Sequence, residues 1–238
     1  MKLITIGSSS DANCYLVEND FHFLALECGC PWKQVQRGTR FNTNMIDCAL
    51  ITHEHGDHSR YYKDFWHCGV PVFSNDWTAK RLKEVCGEHV VALAEKRQTK
   101  IRKRYIIVPL LVPHENIPNT AFIIAFPNGE KMLYATDFMY IPFSVASWDI
   151  NHFLVAVNHT MDIPEGTEAR EHRIKGHSSL ETVKDFLRSS MTDKCKTVTA
   201  CHLSGTYSDE DLILRELTEL CGDNVQVSIA RKGETIDL

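Results

Sequence analysis

The sequence predicts an α/β fold in which two β-sheets pack together with helices on their outer faces. Two observations lead there. Strand-like and helix-like segments alternate from end to end of the 238 residues, with no Pro/Ser-rich linker, low-complexity stretch or short internal repeat. The strands also fall into two blocks, each followed by helices, and a sheet with an apolar face must bury it against another layer. A chain of this length buries a substantial core without disulfide or metal staples, and one domain over 1–238 is expected.

Taken in order, the first block opens with strands expected over about 2–6, 13–18 and 21–27, the last two joined by a tight turn at Glu18-Asn19-Asp20. A strand over about 46–52 runs straight into a histidine-rich loop, with a helix expected to start near Asp57. A short strand over 70–74 and a helix over 76–85 close the block. In the second block, strands over 121–126 and 131–136 flank Pro127-Asn128-Gly129, a hairpin signal because Asn-Gly accepts positive φ at little cost. The continuous apolar run over 153–157 reads as a buried strand. Ser178-Ser179-Leu180-Glu181 has the spacing of a capping box, which starts a helix expected to reach Arg188. A strand over 197–200, a helix over 209–220 and a strand over 225–229 follow.

Composition narrows the classes. Hydrophobic residues are 43% and charged residues 24%, ordinary globular usage that excludes a disordered chain, a fibrous repeat or a disulfide-dense mini-protein. The formal net charge of -5 provides no overall basic field, so any nucleic-acid contact has to come from a local basic patch. The longest nearly uninterrupted apolar run, Tyr105 to Pro113, is far short of the roughly 18 residues needed to cross a bilayer. The N-terminus is too short and strand-like for a signal peptide, so the nine cysteines read as reduced thiols and the expected location is cytoplasmic.

The informative segment is Thr52-His53-Glu54-His55-Gly56-Asp57-His58. With twelve histidines in the chain, a His-x-His-x-Asp-His run arises by chance in about two such chains per thousand. In an extended segment His53 and His55 point to the same side, while Asp57 and His58 follow the turn at Gly56 at a helix start. Two imidazoles can therefore face one metal while Asp57 and His58 face a second. The nitrogen-and-carboxylate mixture suits Zn²⁺ above all, with Mn²⁺ or Fe²⁺ as alternatives.

At this point the sequence resembles the metallo-β-lactamase fold superfamily, over essentially the whole chain. Gly7-Ser8-Ser9-Ser10 followed by Asn13-Cys14-Tyr15-Leu16 is similar to the opening hairpin of its small WalJ-type branch. Leu26-Glu27-Cys28-Gly29 stands where relatives usually have Asp-Cys-Gly, and Glu27 is the departure. The longer side chain is expected to change how a ligand histidine is oriented, without removing a ligand. The metal loop follows, then His114 in Val112-Pro113-His114, Asp137 after Tyr134-Ala135-Thr136, and His202 in Ala200-Cys201-His202. The resemblance implies a four-layer αββα sandwich of two mixed sheets flanked by helices. It also implies that His53, His55 and His114 hold one divalent ion and Asp57, His58 and His202 a second, with Asp137 between them.

The activity implied is a dinuclear metal-dependent hydrolase in which a metal-bridging hydroxide attacks a phosphodiester. Asp57, Asp137 and His177 are the catalytic candidates. A carboxylate at Asp137 fits the thioester and phosphodiester hydrolases of the superfamily, whereas relatives specialised for β-lactams usually carry Cys or Ser there. The substrate implied by the WalJ-type likeness is DNA or RNA, cut in an exonuclease-like manner. Alternatives are a small or cyclic nucleotide, a thioester as in glyoxalase II, or a metal-binding module without catalysis. No membrane partner is expected, and a homodimer is common among relatives.

Outside the ligand set, His177 in Lys175-Gly176-His177-Ser178 precedes a predicted helix start. There it can protonate a leaving oxygen or bind a phosphate, or it can be a polar loop residue. His159 is a similar case. Lys96, Arg97, Lys100, Arg102, Lys103 and Arg104 form the dense basic run, read either as a phosphate grip or as a charged strand edge that blocks pairing. Trp66, Trp77, Cys28, Cys30 and Cys201 read as packing residues.

Overall fold

The computed structural model describes residues 1–86, 90–160 and 176–238. Two seven-stranded mixed sheets face each other, with helices on their outer faces. The first sheet contains β1 (Lys2–Ser9), β2 (Ala12–Asn19), β3 (His22–Leu26), β4 (Ile46–Leu50), β5 (Val72–Asn75), β6 (Val90–Leu93) and β14 (Thr235–Asp237), in the order β14-β1-β2-β3-β4-β5-β6. The second contains β7 (Thr99–Ile101), β8 (Tyr105–His114), β9 (Ile117–Ala125), β10 (Lys131–Ala135), β11 (His152–Ala156), β12 (Thr197–Cys201) and β13 (Gln226–Ile229), in the order β13-β12-β11-β10-β9-β8-β7. In each sheet one half is antiparallel and the other parallel, because the early strands are joined by hairpins and the later ones by helical crossovers.

Side-chain alternation decides which face goes where. On β2, Tyr15 and Val17 enter the core between the sheets while Cys14 and Leu16 turn outward, and β3 and β4 repeat the pattern with Leu24, Leu26, Cys48 and Leu50 inward. Facing them from the second sheet are Tyr105, Phe122, Tyr134 and Leu154, and the Tyr15 and Tyr134 rings meet edge-on with centroids 5.9 Å apart. The outward residues of the first sheet are covered by α1 (Trp32–Gly38), α3 (Tyr62–His67) and α4 (Asp76–Cys86), through Val35, Phe65 and Leu82. The second sheet is covered by α5 (Leu180–Ser190) and α6 (Glu210–Cys221), through Val183, Leu187, Ile213 and Leu217. A single turn of helix, α2 (Gly56–Ser59), carries the metal-loop residues.

Two local expectations need correction. The β2–β3 turn is centred on Asp20 and Phe21, both at positive φ (51° and 65°), one step later than Glu18-Asn19-Asp20. Two left-handed residues match the right-handed strand twist of a two-residue hairpin. The cap of α5 is Ser179 rather than Ser178: Ser179 Oγ accepts from the Thr182 N–H at 3.2 Å. Ser178 Oγ instead donates to Ala156 O at 2.7 Å, and Glu181 pairs with Lys184, so the reciprocal arm of a capping box is not made. Four short elements carried too little pattern to be expected: α1, β6, β7 and β14. Among the described residues no helix is long and apolar enough to cross a membrane.

Candidate metal centre

The parallel halves of both sheets bring strand C-termini to one end of the sandwich, and the ligand candidates lie there. His53 and His55 follow β4, His114 ends β8, Asp137 follows β10 and His202 follows β12. The chain turns sharply at these exits: Glu27, Asp137 and His202 have φ of 66°, 50° and 51°, left-handed values uncommon for residues with a side chain. At Asp137 the turn is held by Asn119, whose Nδ2 donates to Thr136 O at 2.7 Å and to Asp137 O at 2.5 Å. The segment after β3 is bonded directly to the metal loop, with the Cys28 N–H on His58 O at 2.7 Å. Gly29 is required there, since a Cβ would stand 1.6 Å from Asp57 O.

Two ligand groups result. His53, His55 and His114 form one; Asp57, His58, Asp137 and His202 form the other, and within each group the donor atoms lie within 4.8 Å of one another. Asp137 reaches across. Its Oδ2 is 2.9 Å from His58 Nε2 and 3.6 Å from His53 Nε2, and its Oδ1 is 2.8 Å from His202 Nε2. His177 joins them with Nδ1 3.3 Å from Asp137 Oδ1, its ring centroid 5.7 Å from those of both His114 and His202. The backbone of His159 bridges to Ser179, beside the start of α5.

The donor set fits divalent metal. Seven imidazole and carboxylate side chains converge in a mostly buried space, a mixture suited to borderline cations. The buried Nε2 of His202 has no hydrogen-bond partner of good geometry, although Asp137 Oδ1 is 2.8 Å away. The far ring nitrogens are occupied so that Nε2 faces the cluster. His114 Nδ1 donates to Gly176 O at 2.7 Å, His202 Nδ1 donates to Asn13 Oδ1 at 3.0 Å, and Thr52 Oγ1 is 2.9 Å from His53 Nδ1.

Charge is divided unevenly between the groups. Burial pushes His53 well below the usual histidine range, and it pushes His114 down to about 4, so both rings are neutral and ready to act as ligands. Burial also disfavours a charged His58, but the Asp137 and Glu27 carboxylates beside it outweigh that and hold it well above the usual range. Burial alone would raise Asp137, yet the His202 and His58 imidazoles hold it well below the usual carboxylate range. Asp57 is likewise lowered against its burial, chiefly by its hydrogen bond to His58.

Glu27, the departure from the expected aspartate, is fully buried behind His58. Its Oε1 lies 3.5 Å from His58 Nδ1 and accepts from Tyr134 Oη at 3.1 Å, while Oε2 accepts from the Thr52 N–H at 3.2 Å. The longer side chain thus stands behind the ligand ring with a tyrosine as anchor. Sequence reasoning missed Asn13. This buried amide accepts from His202 and donates to Asp57 Oδ2 at 3.2 Å, and its Nδ2 also lies 3.2 Å from His58 Nε2. Its place in the opening hairpin was the available signal.

The sequence profile of the Beta-lactamase superfamily domain matches residues 29–190, more than half of the chain. The chain belongs to this superfamily. Among solved structures, the metallo-beta-lactamase fold protein YhfI from Bacillus subtilis is similar at TM-score 0.74 and 15% identity, covering 99% of this chain and 98% of its own. A diphosphatase from the PhnP family is similar at TM-score 0.68 and 16% identity, covering 100% and 97%. The short form of human tRNase Z is similar at TM-score 0.66 and 14% identity, covering 100% and 99%. At such identities the likeness establishes the metallo-β-lactamase sandwich and nothing about substrate. No curated protein sequence matches.

Proposed function

We propose that this superfamily member is a metal-dependent hydrolase of phosphodiester bonds that acts on DNA or RNA in the exonuclease-like manner of the WalJ-type branch. The observation that carries the reading is Asp137, a carboxylate whose oxygens face both ligand groups of an otherwise histidine-rich centre. His53, His55 and His114 would hold one divalent ion and Asp57, His58 and His202 the other, with Asp137 shared. Divalent ions there would make water nucleophilic near neutral pH and offset charge growing on a phosphoryl oxygen.

The chain's own residues supply the rest. Asp137 and Asp57 are held ionised and keep the pocket anionic enough for cations. Asn13 fixes the ring of His202 from behind through its hydrogen bond with Nδ1, and the Glu27 carboxylate places its charge 3.5 Å behind His58 Nδ1. His177, at the rim and only 10% exposed, has Nδ1 against Asp137 Oδ1 and is the group to hand a proton to the leaving oxygen. A second reading keeps the same residue roles and takes a small phosphodiester, without neighbouring phosphates, as substrate.

The test is a gel assay with Mn²⁺ on linear 5′-phosphorylated duplex DNA, closed circular DNA and single-stranded RNA, with Asp137→Asn as control. Digestion of linear DNA alone, lost in the folded control, is the expected result. Cleavage of no polymer by a metal-loaded protein transfers the reading to small phosphodiesters. Wild-type turnover in Asp137→Asn contradicts the role given to that carboxylate.

A further inference from the structure

The dense basic run from Lys96 to Arg104 is the obvious place in the sequence for a phosphate backbone to bind, but the fold sets most of it at the wrong end. Lys100 lies on β7, the edge strand, opposite Ile106 near the start of β8, whereas the metal end of β8 is His114. From Tyr105 to His114 the strand is about 30 Å long at roughly 3.3 Å per residue. Arg102 and Arg104 are also engaged there, with Arg102 Nε donating to Asp47 O at 3.4 Å and Arg104 Nε 3.4 Å from Asp47 Oδ2.

A second group of cations, scattered in the sequence, is gathered by folding against the metal loop itself. A cavity of about 410 Å³ lies beside that loop and is lined by Glu54, Arg60, Lys63 and Arg81, with Ser59, Tyr62 and Leu82 completing its wall. Glu54 stands between the ligand candidates His53 and His55, and the Arg60 guanidinium lies across Gly56, 3.6 Å from where a Cβ there would stand. Three cations thus face one carboxylate. Arg81 is shared between Glu54 at 3.7 Å and Glu84 at 3.4 Å, long pairings at a half-exposed side chain that screening leaves weak. Among the described residues Arg60 and Lys63 make no ion pair.

We propose that Arg60, Lys63 and Arg81 form a subsite for the backbone phosphates of a nucleic-acid strand that flank the bond held at the metal centre. The inference rests on the phosphodiesterase reading and deepens it. It identifies a polymeric polyanion as the substrate and assigns its grip to this cavity, not to the basic run. An acidic chain of net charge -5 needs such a local patch to draw in a strand, and the attraction to phosphate is the part of binding that salt weakens.

The test compares Mn²⁺-loaded wild type, R60E/K63E and K100E/K103E on two substrates. One is a fluorescent single-stranded oligonucleotide; the other is bis(p-nitrophenyl) phosphate, a diester with no neighbouring phosphate. R60E/K63E should raise KM for the strand at least tenfold and leave kcat/KM on the small diester within about twofold. It should also flatten the logarithmic salt dependence of strand binding by about 0.7 for each phosphate no longer neutralised. K100E/K103E should change neither. Fluorescence anisotropy of the same strand reads the subsite even if nothing is cut, so a failed phosphodiesterase reading and a failed subsite give different results. R60Q/K63Q serves if charge reversal disturbs folding. Unchanged strand binding in the 60/63 variants, or a larger loss in K100E/K103E, overturns the proposal.

Discussion

At the residue scale, the ligand candidates were legible because each stands in a short local pattern. His53 to His58 form one contiguous motif, and His114, Asp137 and His202 end or follow strands that their own apolar runs announce. Asn13 was not legible as a support, since its partners Asp57, His58 and His202 lie 44, 45 and 189 residues away. Replacing it should separate its role from that of a ligand. Asn13→Ala should lower divalent-metal affinity by about 10- to 100-fold in a calorimetric titration while the protein stays folded. Unchanged affinity would mean that the amide orients nothing. Glu27, by contrast, was marked by its departure from aspartate, and the structure supplies the reason it is tolerated: Tyr134 and the Thr52 N–H fix the longer side chain.

The titrating residues give a pH prediction whose sign follows from the direction of each shift. His114 is held at about 4 and His53 is also lowered, so between about pH 6.5 and 4 the unfolded chain takes up protons that the fold refuses. His58 is shifted the other way. Below about pH 6.5 it is protonated in both states and drops out of the balance; its stabilising share is lost only as pH rises through its folded value. The lowered Asp57 and Asp137 act only near and below the ordinary carboxylate range. The metal-free protein should therefore lose stability on acidification from about pH 6.5 to 4, with at most about 3 kcal/mol from His114. His114→Gln should remove that share of the slope in urea melts taken across the range. An identical slope in the variant would show that His114 titrates normally.

At the element scale, the strands were read well because period-2 alternation survives on β2, β3 and β4, whose two faces enter different cores. The readings failed where elements are short or where two residues compete for one role. β7 and β14 have only three residues each, and their pairing depends on partners the local pattern does not contain. At the start of α5, adjacent serines offered two caps. Burial decided between them, as the 0% exposed Ser178 is drawn to Ala156 O and leaves the Thr182 N–H to Ser179. Ser179→Ala should destabilise the protein by about 1 kcal/mol in urea denaturation. Glu181→Gln should change stability by only a few tenths, since its partner is Lys184 and its side chain is 71% exposed. Equal losses in the two variants would restore the capping box.

At the scale of the whole molecule, two sheets of opposite halves set every ligand-bearing strand end at one rim. Which strands neighbour one another was beyond the sequence: β14 pairs with β1, joining residues more than 230 positions apart, and no local signal announces such a pairing. The same long-range assembly carries Lys100 to Arg104 away from the rim and collects Arg60, Lys63 and Arg81 beside it. The claim on which the functional reading stands is that this rim is a two-ion centre bridged by Asp137. The most direct measurement is the number of divalent ions bound per chain, by elemental analysis of protein loaded with excess Zn²⁺ or Mn²⁺ and freed of unbound metal. Two ions in the wild type, falling to one or none in Asp137→Asn, is the predicted result. A wild type that retains no ion or a single one, or a variant that keeps both, would contradict it.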